Sequence, residues 1–175
     1  MIIEKTNFED LLIINTLKKE DERGFFRRLY CFNELKKNGM KFNIAQINNS
    51  VSKKKYTLRG MHYQNKPFSE IKIIKVISGS IFDVVIDLRK KSKTYKKYFS
   101  IELDSNDSRM LVVPEGFAHG FLTLDKNVEV IYFVSKIYNP KYERGIKYND
   151  SEFDILWPHQ PTVISTKDQS WDDWS

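Results

Sequence analysis

Short runs of alternating apolar and polar residues dominate the chain and predict β-strands. The alternation is most regular in residues 71–77 and 81–88, and similar runs occupy residues 98–103, 110–113 and 128–134. Turn-forming residues separate the runs, and no helical crossover lies between them. The pattern predicts an all-β sandwich or barrel.

The first fifty residues predict smaller elements. Residues 1–15 carry two apolar patches that predict two short strands, and residues 21–24 (DERG) form a turn signal. Residues 33–38 tolerate a helix, which Gly39 ends, and residues 41–48 alternate loosely, as a strand does. One or two short helices therefore accompany the strands.

Two further patterns concern how the chain folds back. Residues 78–80 (SGS) are a tight turn between two alternating runs, which predicts a β-hairpin. Residues 151–175 predict an irregular tail that docks through its three tryptophans. We expect one domain over residues 1–175, with N-terminal strands in 1–50, a β-barrel core over about 51–150, and this tail.

Composition is that of an ordinary globular domain, with 41% hydrophobic and 30% charged residues. Aromatic residues make up 14%, which favours pleated sheets. The net charge of +6 suits an anionic partner. The lysine clusters at 53–55 and 90–91 fall in predicted loops without a basic helical face, so we expect no nucleic-acid partner.

The single cysteine, Cys31, allows no internal disulfide and fits a reducing compartment. The longest early apolar run, residues 11–14, is far shorter than a signal peptide or a membrane span requires. We therefore expect a cytoplasmic protein without membrane contact.

Candidate chemistry is concentrated in residues 59–72, which contain Arg59, His62 and Lys72. A guanidinium, an imidazole and an ammonium that faced one pocket would suit an anionic substrate and proton transfer. Lys72 lies on a strand face made otherwise of Ile and Val, and so does Tyr132, so each polar tip needs a partner or a pocket. Each residue also has a structural interpretation, His62 as a hydrogen-bonded core or surface histidine.

Other reaction classes find less support. Residues 114–119 (PEGFAH) match half of a cupin metal motif, but Tyr63 and Gln64 follow His62 where a second histidine ligand is needed, so we expect no metal. Cys31 has no histidine close in sequence, and the chain contains no nucleophile elbow, phosphate loop or dinucleotide fingerprint. Acid–base chemistry without a metal remains.

Several motifs together resemble one known family. The chain is similar, in order and over nearly its whole length, to dTDP-4-dehydrorhamnose 3,5-epimerases. The matching segments are residues 21–26 (DERGFF), 58–64 (LRGMHYQ), 81–89 (IFDVVIDLR), 113–121 (VPEGFAHGF), 142–146 (YERGI), 149–150 (ND), 157–158 (WP) and 165–168 (STKD).

The resemblance implies a cupin-like jelly roll (double-stranded β-helix) that works as a homodimer without metal or organic cofactor. The implied substrate is a nucleotide-diphosphate 4-keto-6-deoxy sugar, dTDP-4-dehydro-6-deoxy-D-glucose in the family's own reaction, whose product is dTDP-4-dehydro-L-rhamnose. A C4 ketone acidifies the C3 and C5 protons, so a base can remove either one and leave an enolate. Reprotonation from the opposite face then inverts the carbon.

The resemblance also implies roles for individual residues. His62 would be the base, Asp168 would hold and polarise its imidazole, Lys72 would stabilise the enolate, and Tyr132 would deliver the proton. Substrate binding would involve Arg23, Gln46, Asn48, Arg59, His119, Tyr138, Glu143 and Lys167, with Arg59 on the diphosphate and Tyr138 stacked on the base.

Two positions depart from the family pattern and leave the substrate open. Arg28 stands where the family usually carries Glu, and Ile47 where it commonly carries Asp. The alternatives are a mono-epimerase that inverts only C3 or C5 of another dTDP-, GDP- or CDP-linked sugar, and a sugar-nucleotide-binding cupin without turnover. A metal-dependent cupin is the third alternative.

Overall fold

A computed structural model describes residues 1–174, which form two facing β-sheets with short helices at their margins. In chain order the elements are β1 (Ile2–Lys5), β2 (Leu12–Asn15), β3 (Lys18–Asp21), β4 (Gly24–Arg27), α1 (Phe32–Lys37), β5 (Gln46–Ser52), β6 (Thr57–Gln64), β7 (Lys72–Ser78), β8 (Ser80–Asp87), β9 (Tyr98–Asp104), β10 (Arg109–Val113), β11 (Phe117–Thr123), β12 (Val128–Val134), β13 (Glu143–Gly145), β14 (Val163–Ile164) and α2 (Thr166–Gln169).

Successive strands alternate between the sheets from β5 to β8 and again from β10 to β13. One sheet has the order β1-β2-β10-β7-β12-β5 and the other the order β13-β6-β11-β8-β9, with β14 parallel to β6. All other pairings are antiparallel, and β3 and β4 form a separate hairpin. This is a jelly roll of the cupin type, so the predicted all-β fold is confirmed, together with two short helices.

The main core fills the space between the sheets. Ile74, Val85, Leu111, Phe121 and Val130 are all buried there, and they come from five different strands of the two sheets. Each alternating run therefore turns one apolar face inward, as the sequence pattern predicts.

Two smaller apolar layers cover the outer faces of the sheets. Leu35 of α1 and Phe42 pack against the six-stranded sheet, and Ile146 and Phe153 pack against the five-stranded sheet. Strands covered on both faces read as nearly continuous apolar runs, which accounts for residues 81–86.

The predicted β7–β8 hairpin is wrong. β7 pairs with β10 and β12, whereas β8 pairs with β9 and β11, so residues 78–80 carry the chain from one sheet to the other. A tight turn shows that the chain changes direction, but the partner of the next strand is fixed by distant residues.

The strand predicted over residues 41–48 is wrong in its bounds. The strand begins at Gln46, continues to Ser52, and follows an irregular segment in which Phe42 is buried. The turn at residues 21–24 and the helix ended before Gly39 are confirmed. Neither helix among residues 1–174 has the length and apolarity needed to cross a membrane.

Candidate active site

A cleft opens between the two sheets in two adjoining parts, of about 400 Å³ and about 320 Å³. His62, Lys72 and Tyr132 line both parts. His62 comes from β6 in the five-stranded sheet, whereas Lys72 and Tyr132 come from β7 and β12 in the six-stranded sheet. The three side chains therefore meet across the cleft from opposite walls.

A bulge in β6 brings Arg59 and His62 into the same cleft. Residues three apart in a regular strand point to opposite faces. Here His62 pairs with His119 and Arg59 with Phe121, so β6 carries one residue more than β11 between these pairs. Gly60 allows the backbones of β6 and β11 to approach each other closely. Its φ is +129°, and an added Cβ would lie 2.9 Å from the His119 carbonyl oxygen.

Asp168 holds the His62 ring from the far end of the chain. Its Oδ1 lies 2.6 Å from His62 Nε2, and its Oδ2 accepts the Gly60 backbone N–H at 3.3 Å. The Asp168 side chain is 5% exposed and that of His62 31%. The carboxylate is thus shielded from water while the imidazole remains open to the cleft.

The protonation of this pair follows from the Asp168 environment. Burial raises the pKa of the Asp168 carboxyl, but the hydrogen bond and charge of His62 and the Gly60 N–H outweigh burial and leave that pKa lowered. An ionised carboxylate only accepts hydrogen bonds, so His62 Nε2 must carry a proton. Nδ1 is then the ring nitrogen that is available to accept a proton.

The short strand β14 and the helix α2 place Asp168 beside His62. β14 adds to the edge of β6, with Val163 opposite Thr57, and α2 follows at once. Ser165 caps this helix by accepting the Asp168 backbone N–H at 3.0 Å. The parallel strand and the cap together aim the Asp168 side chain at β6.

Lys72 and Tyr132 are diagonal neighbours on the opposite wall, where Lys72 pairs with Val134 and Tyr132 with Ile74. Lys72 Nζ lies 3.3 Å from a Glu70 carboxylate oxygen. Burial, and then the negative charge of Glu70, raise the pKa of the Tyr132 phenol, with Arg59 opposing. Tyr132 is therefore protonated at neutral pH.

β5 turns a polar stripe into the cleft. Gln46 donates to Asn48 at 2.7 Å, and Ser52 accepts from Arg59 Nε at 3.0 Å. The Val51 carbonyl accepts from Arg59 Nη2 at 3.0 Å, so the guanidinium is oriented before any ligand arrives. Ser50, between Asn48 and Ser52, has a buried hydroxyl with no hydrogen-bond partner among the described residues.

The remaining polar residues lie at the rim and the floor of the cleft. Glu143 accepts from Tyr138 Oη at 2.6 Å and from Lys167 Nζ at 2.5 Å. Burial raises the pKa of the Glu143 carboxyl, but these two hydrogen bonds leave it lowered. His119 is buried on the floor, with its Nε2 2.9 Å from Asp83.

All the site residues predicted from sequence line this cleft except Arg23. Arg23 lies in the turn between β3 and β4, has an 84% exposed side chain and pairs with Asp21 at 2.7 Å. Arg28, the departure from the family pattern, is also outside the cleft and pairs with Glu34 at 2.7 Å.

The sequence reasoning missed several cleft residues, three of which are polar groups that contribute to the geometry described above. Ser50 extends the alternation of Gln46 and Asn48, and Ser165 with Asp168 has the Ser-x-x-Asp spacing of a helix cap, so both carry a readable signal. Glu70, which lies beside Lys72, carries no signal that can be read from the sequence. Among residues 1–174, no group of three or more His, Cys, Asp or Glu side chains is arranged to hold a metal ion.

The chain is similar over most of its length to proteins of one known family. The sequence profile of dTDP-4-dehydrorhamnose 3,5-epimerase matches residues 5–175. The Shigella flexneri enzyme of that name is 39% identical over 171 residues, which cover 96% of this chain and 93% of the relative.

Solved structures agree over the whole fold. The Bacillus anthracis epimerase, with TDP and PPi bound, superposes with a TM-score of 0.96 at 36% identity and covers 99% of both chains. The Legionella pneumophila epimerase, in complex with dTDP-4-keto-L-rhamnose, superposes with a TM-score of 0.92 at 32% identity. The match covers 97% of this chain and 90% of that one. With fold and sequence in agreement, the chain belongs to the dTDP-4-dehydrorhamnose 3,5-epimerase family.

Proposed function

We propose that the protein inverts C3 and C5 of dTDP-4-dehydro-6-deoxy-D-glucose, giving dTDP-4-dehydro-L-rhamnose through enolate intermediates. The observation that carries this proposal is the placement of His62 and Tyr132 on opposite walls of one cleft. A base on one side of a sugar ring and an acid on the other convert proton exchange into inversion.

The first step is proton abstraction by His62. Its Nδ1 takes the proton from C3 or C5, and the C–H electron pair moves into the enolate formed with the C4 carbonyl. The imidazolium that results lies against the Asp168 carboxylate, 2.6 Å from Nε2. Asp168 therefore stabilises the charge that develops on the ring.

Lys72 and Tyr132 complete the cycle from the opposite wall. We assign the Lys72 ammonium to stabilisation of the enolate oxygen, because it lines the cleft together with His62 and Tyr132. The Tyr132 phenol, kept protonated by its raised pKa, gives its proton to the other face of the carbon. His62 then releases its proton to solvent, and the Tyr132 phenolate takes a proton from solvent, before the second carbon reacts.

The polar groups along the cleft suit the rest of the substrate. Arg59, already oriented by β5, can grip the diphosphate with two parallel hydrogen bonds. We assign Tyr138 to stacking on the nucleotide base. The sugar and nucleotide polar groups fall to Gln46, Asn48, His119, Glu143 and Lys167.

Deuterium incorporation tests this proposal. Incubation of the sugar nucleotide in D₂O should add two deuterons, at C3 and C5, by mass spectrometry and NMR. His62→Ala should abolish exchange, whereas Tyr132→Phe should keep part of the exchange and lose inversion. Incorporation of one deuteron by the wild-type enzyme would identify a mono-epimerase, and incorporation of none would refute turnover. Full inversion by the Tyr132→Phe variant would exclude Tyr132 as the acid.

We also propose that the protein acts as a homodimer, in the cytoplasm. Ile47, Val51 and Ile77 are exposed on the outer face of the six-stranded sheet, and Phe25 and Phe26 are 58% and 61% exposed on the β3–β4 hairpin. A second copy would cover such apolar surface. The cytoplasm is supported by the lone, unpaired cysteine.

The position of Arg23 supports a shared site, because this hairpin lies outside the cleft of its own chain. If one copy supplies Arg23 to the cleft of the other, inactive Arg23→Ala and His62→Ala proteins should regain activity when mixed as heterodimers. His62→Ala mixed with Asp168→Asn is the control and should stay inactive, because both changes affect the same cleft. A monomer by light scattering, or no regain in the first mixture, would refute the shared site.

A further inference from the structure

We propose that Trp171 is a positioning residue: its indole packs on Gly145 and holds Asp168 against the His62 ring. The proposal rests on the proposed function of His62 as the base. Trp171 comes two residues after α2, and α2 carries Asp168. The packing of this one ring thus bears on the geometry of the pair that removes the proton.

The contact with Gly145 leaves no room for a side chain. A Cβ built on Gly145 would overlap the Cε2, Nε1 and Cδ2 atoms of the Trp171 indole. The backbone of Gly145 lies outside the positive-φ region, so the absent side chain is explained by the indole alone. Gly145 is also the β13 residue that pairs with His62 in β6. The ring therefore lies directly beside the strand position of the base.

Two further contacts join the ring to the site. The His62 and Trp171 rings meet edge to face, with centroids 6.3 Å apart, and the Lys167 ammonium lies 5.8 Å from the indole centroid. Lys167 lies in the four-residue α2, which is too short to be stable by itself. Packing of its flanks must hold it, and Trp171 supplies that packing on the C-terminal side.

The indole N–H shows which property of the ring matters. Trp171 Nε1 is buried and has no hydrogen-bond partner among residues 1–174. A buried N–H without a partner contributes nothing favourable, so the ring is held by its shape, its apolar contacts and the Lys167 ammonium. Phenylalanine keeps an aromatic ring there without the N–H, whereas alanine removes the packing.

Five variants separate positioning from general stability. Trp171→Ala should lower kcat about 10–100-fold, as misplacement of a catalytic group by about 1 Å does, with KM changed less than about threefold. Trp171→Phe should restore most of kcat. Gly145→Ala should resemble Trp171→Ala, and the double variant should be no worse than either, because the new methyl group then has room. Trp174→Ala, which removes a tryptophan packed on Phe153 instead, is the matched control and should keep its kcat.

A readout without turnover keeps this test independent of the proposed reaction. The proton between His62 Nε2 and Asp168 should give a low-field ¹H NMR signal in the wild type and none in Asp168→Asn. Trp171→Ala should weaken or lose the signal, and Trp171→Phe should keep it. An unchanged signal in Trp171→Ala, an unchanged kcat, or additive losses in the Gly145→Ala/Trp171→Ala protein would each overturn the positioning role. Absence of turnover in the wild type, with the signal lost in Trp171→Ala, would instead refute only the proposed reaction.

Discussion

Replacing Asp168 with asparagine should disable the base while leaving the cleft in place. The side chains have nearly the same shape, but the carboxylate that lies 2.6 Å from His62 Nε2 becomes neutral. Opposite charges about 4 Å apart attract by about 4 kcal/mol at an effective dielectric constant of about 20. Loss of that attraction from the imidazolium state corresponds to a kcat about 10³-fold lower.

A second effect acts in the same direction. The asparagine amide can donate to Nε2, which would move the His62 proton to Nδ1 and remove the lone pair that faces the cleft. KM should change little, because Asp168 is buried behind the imidazole. The expected pattern is a loss of kcat of about 10²–10⁴-fold, with substrate affinity largely retained.

Initial rates of deuterium uptake at C3, with dTDP binding measured by calorimetry, provide the assay. Asp173→Asn is the matched control, because Asp173 lies on the same tail and makes an exposed ion pair with Lys147 at 3.0 Å. The control should keep wild-type kcat. An Asp168→Asn protein with kcat within threefold of wild type would refute the role given to the carboxylate.

Asp168→Asn should also change how the free energy of unfolding depends on pH. The pKa of Asp168 is lower in the folded protein than in the unfolded chain, so its stabilisation is present above the unfolded pKa of about 3.9 and is lost as pH falls through the lowered value. At neutral pH, Asp168→Asn should reduce the free energy of unfolding by about 1.5–3 kcal/mol. This difference between the two proteins should shrink in urea titrations at successively lower pH.

Three smaller predictions follow from the cleft and its supports. Ser50→Ala removes a hydroxyl that has no hydrogen-bond partner within residues 1–174, so the melting temperature should stay unchanged while KM rises about 3–10-fold, the equivalent of one hydrogen bond. Burial, and then the charge of Arg27, lower the pKa of Lys75 to about 8. The unfolded chain therefore binds more protons between about pH 8 and 10.5, and wild-type stability should rise over that range relative to Lys75→Met. Gly60→Ala should reduce the free energy of unfolding by about 3 kcal/mol in urea, because of the positive φ and the crowding against Gly120.

Each of these has a clear contrary result. An unchanged KM for Ser50→Ala would mean that the hydroxyl meets no substrate group. Parallel stability curves for wild type and Lys75→Met would mean that the Lys75 amine is solvated in the folded protein. A Gly60→Ala protein of wild-type stability would show that β6 and β11 can separate without loss.

Much of the sheet structure could be predicted because period-two alternation is a local signal. Residues 81–88 and 128–134 needed no distant information to be recognised as strands. The sheet that each strand joins is a different matter, since the turn at residues 78–80 is compatible with either outcome. The shortest strands, β13 and β14, have two or three residues and present no period at all.

The candidate site also has features that the local sequence predicts and features that depend on distant residues. Lys72 and Tyr132 could be recognised because a polar tip on an apolar strand face calls for a pocket. The β6 bulge that turns both Arg59 and His62 into the cleft cannot be read from residues 58–64, because it depends on the register with β11. The packing of Trp171 on Gly145 joins residues with no common pattern, and only the folded chain brings them together.

The alternation of strands between the two sheets bears on how the molecule reaches its native state. From β5 to β8 each new strand joins the sheet opposite the previous one, so no continuous segment of that region can complete a sheet by itself. Most pairings must wait for partners far along the chain, and topologies of this kind fold in about milliseconds to seconds. The cleft lies between the same two sheets, so binding capacity should appear together with the core in refolding, without an earlier intermediate able to hold substrate.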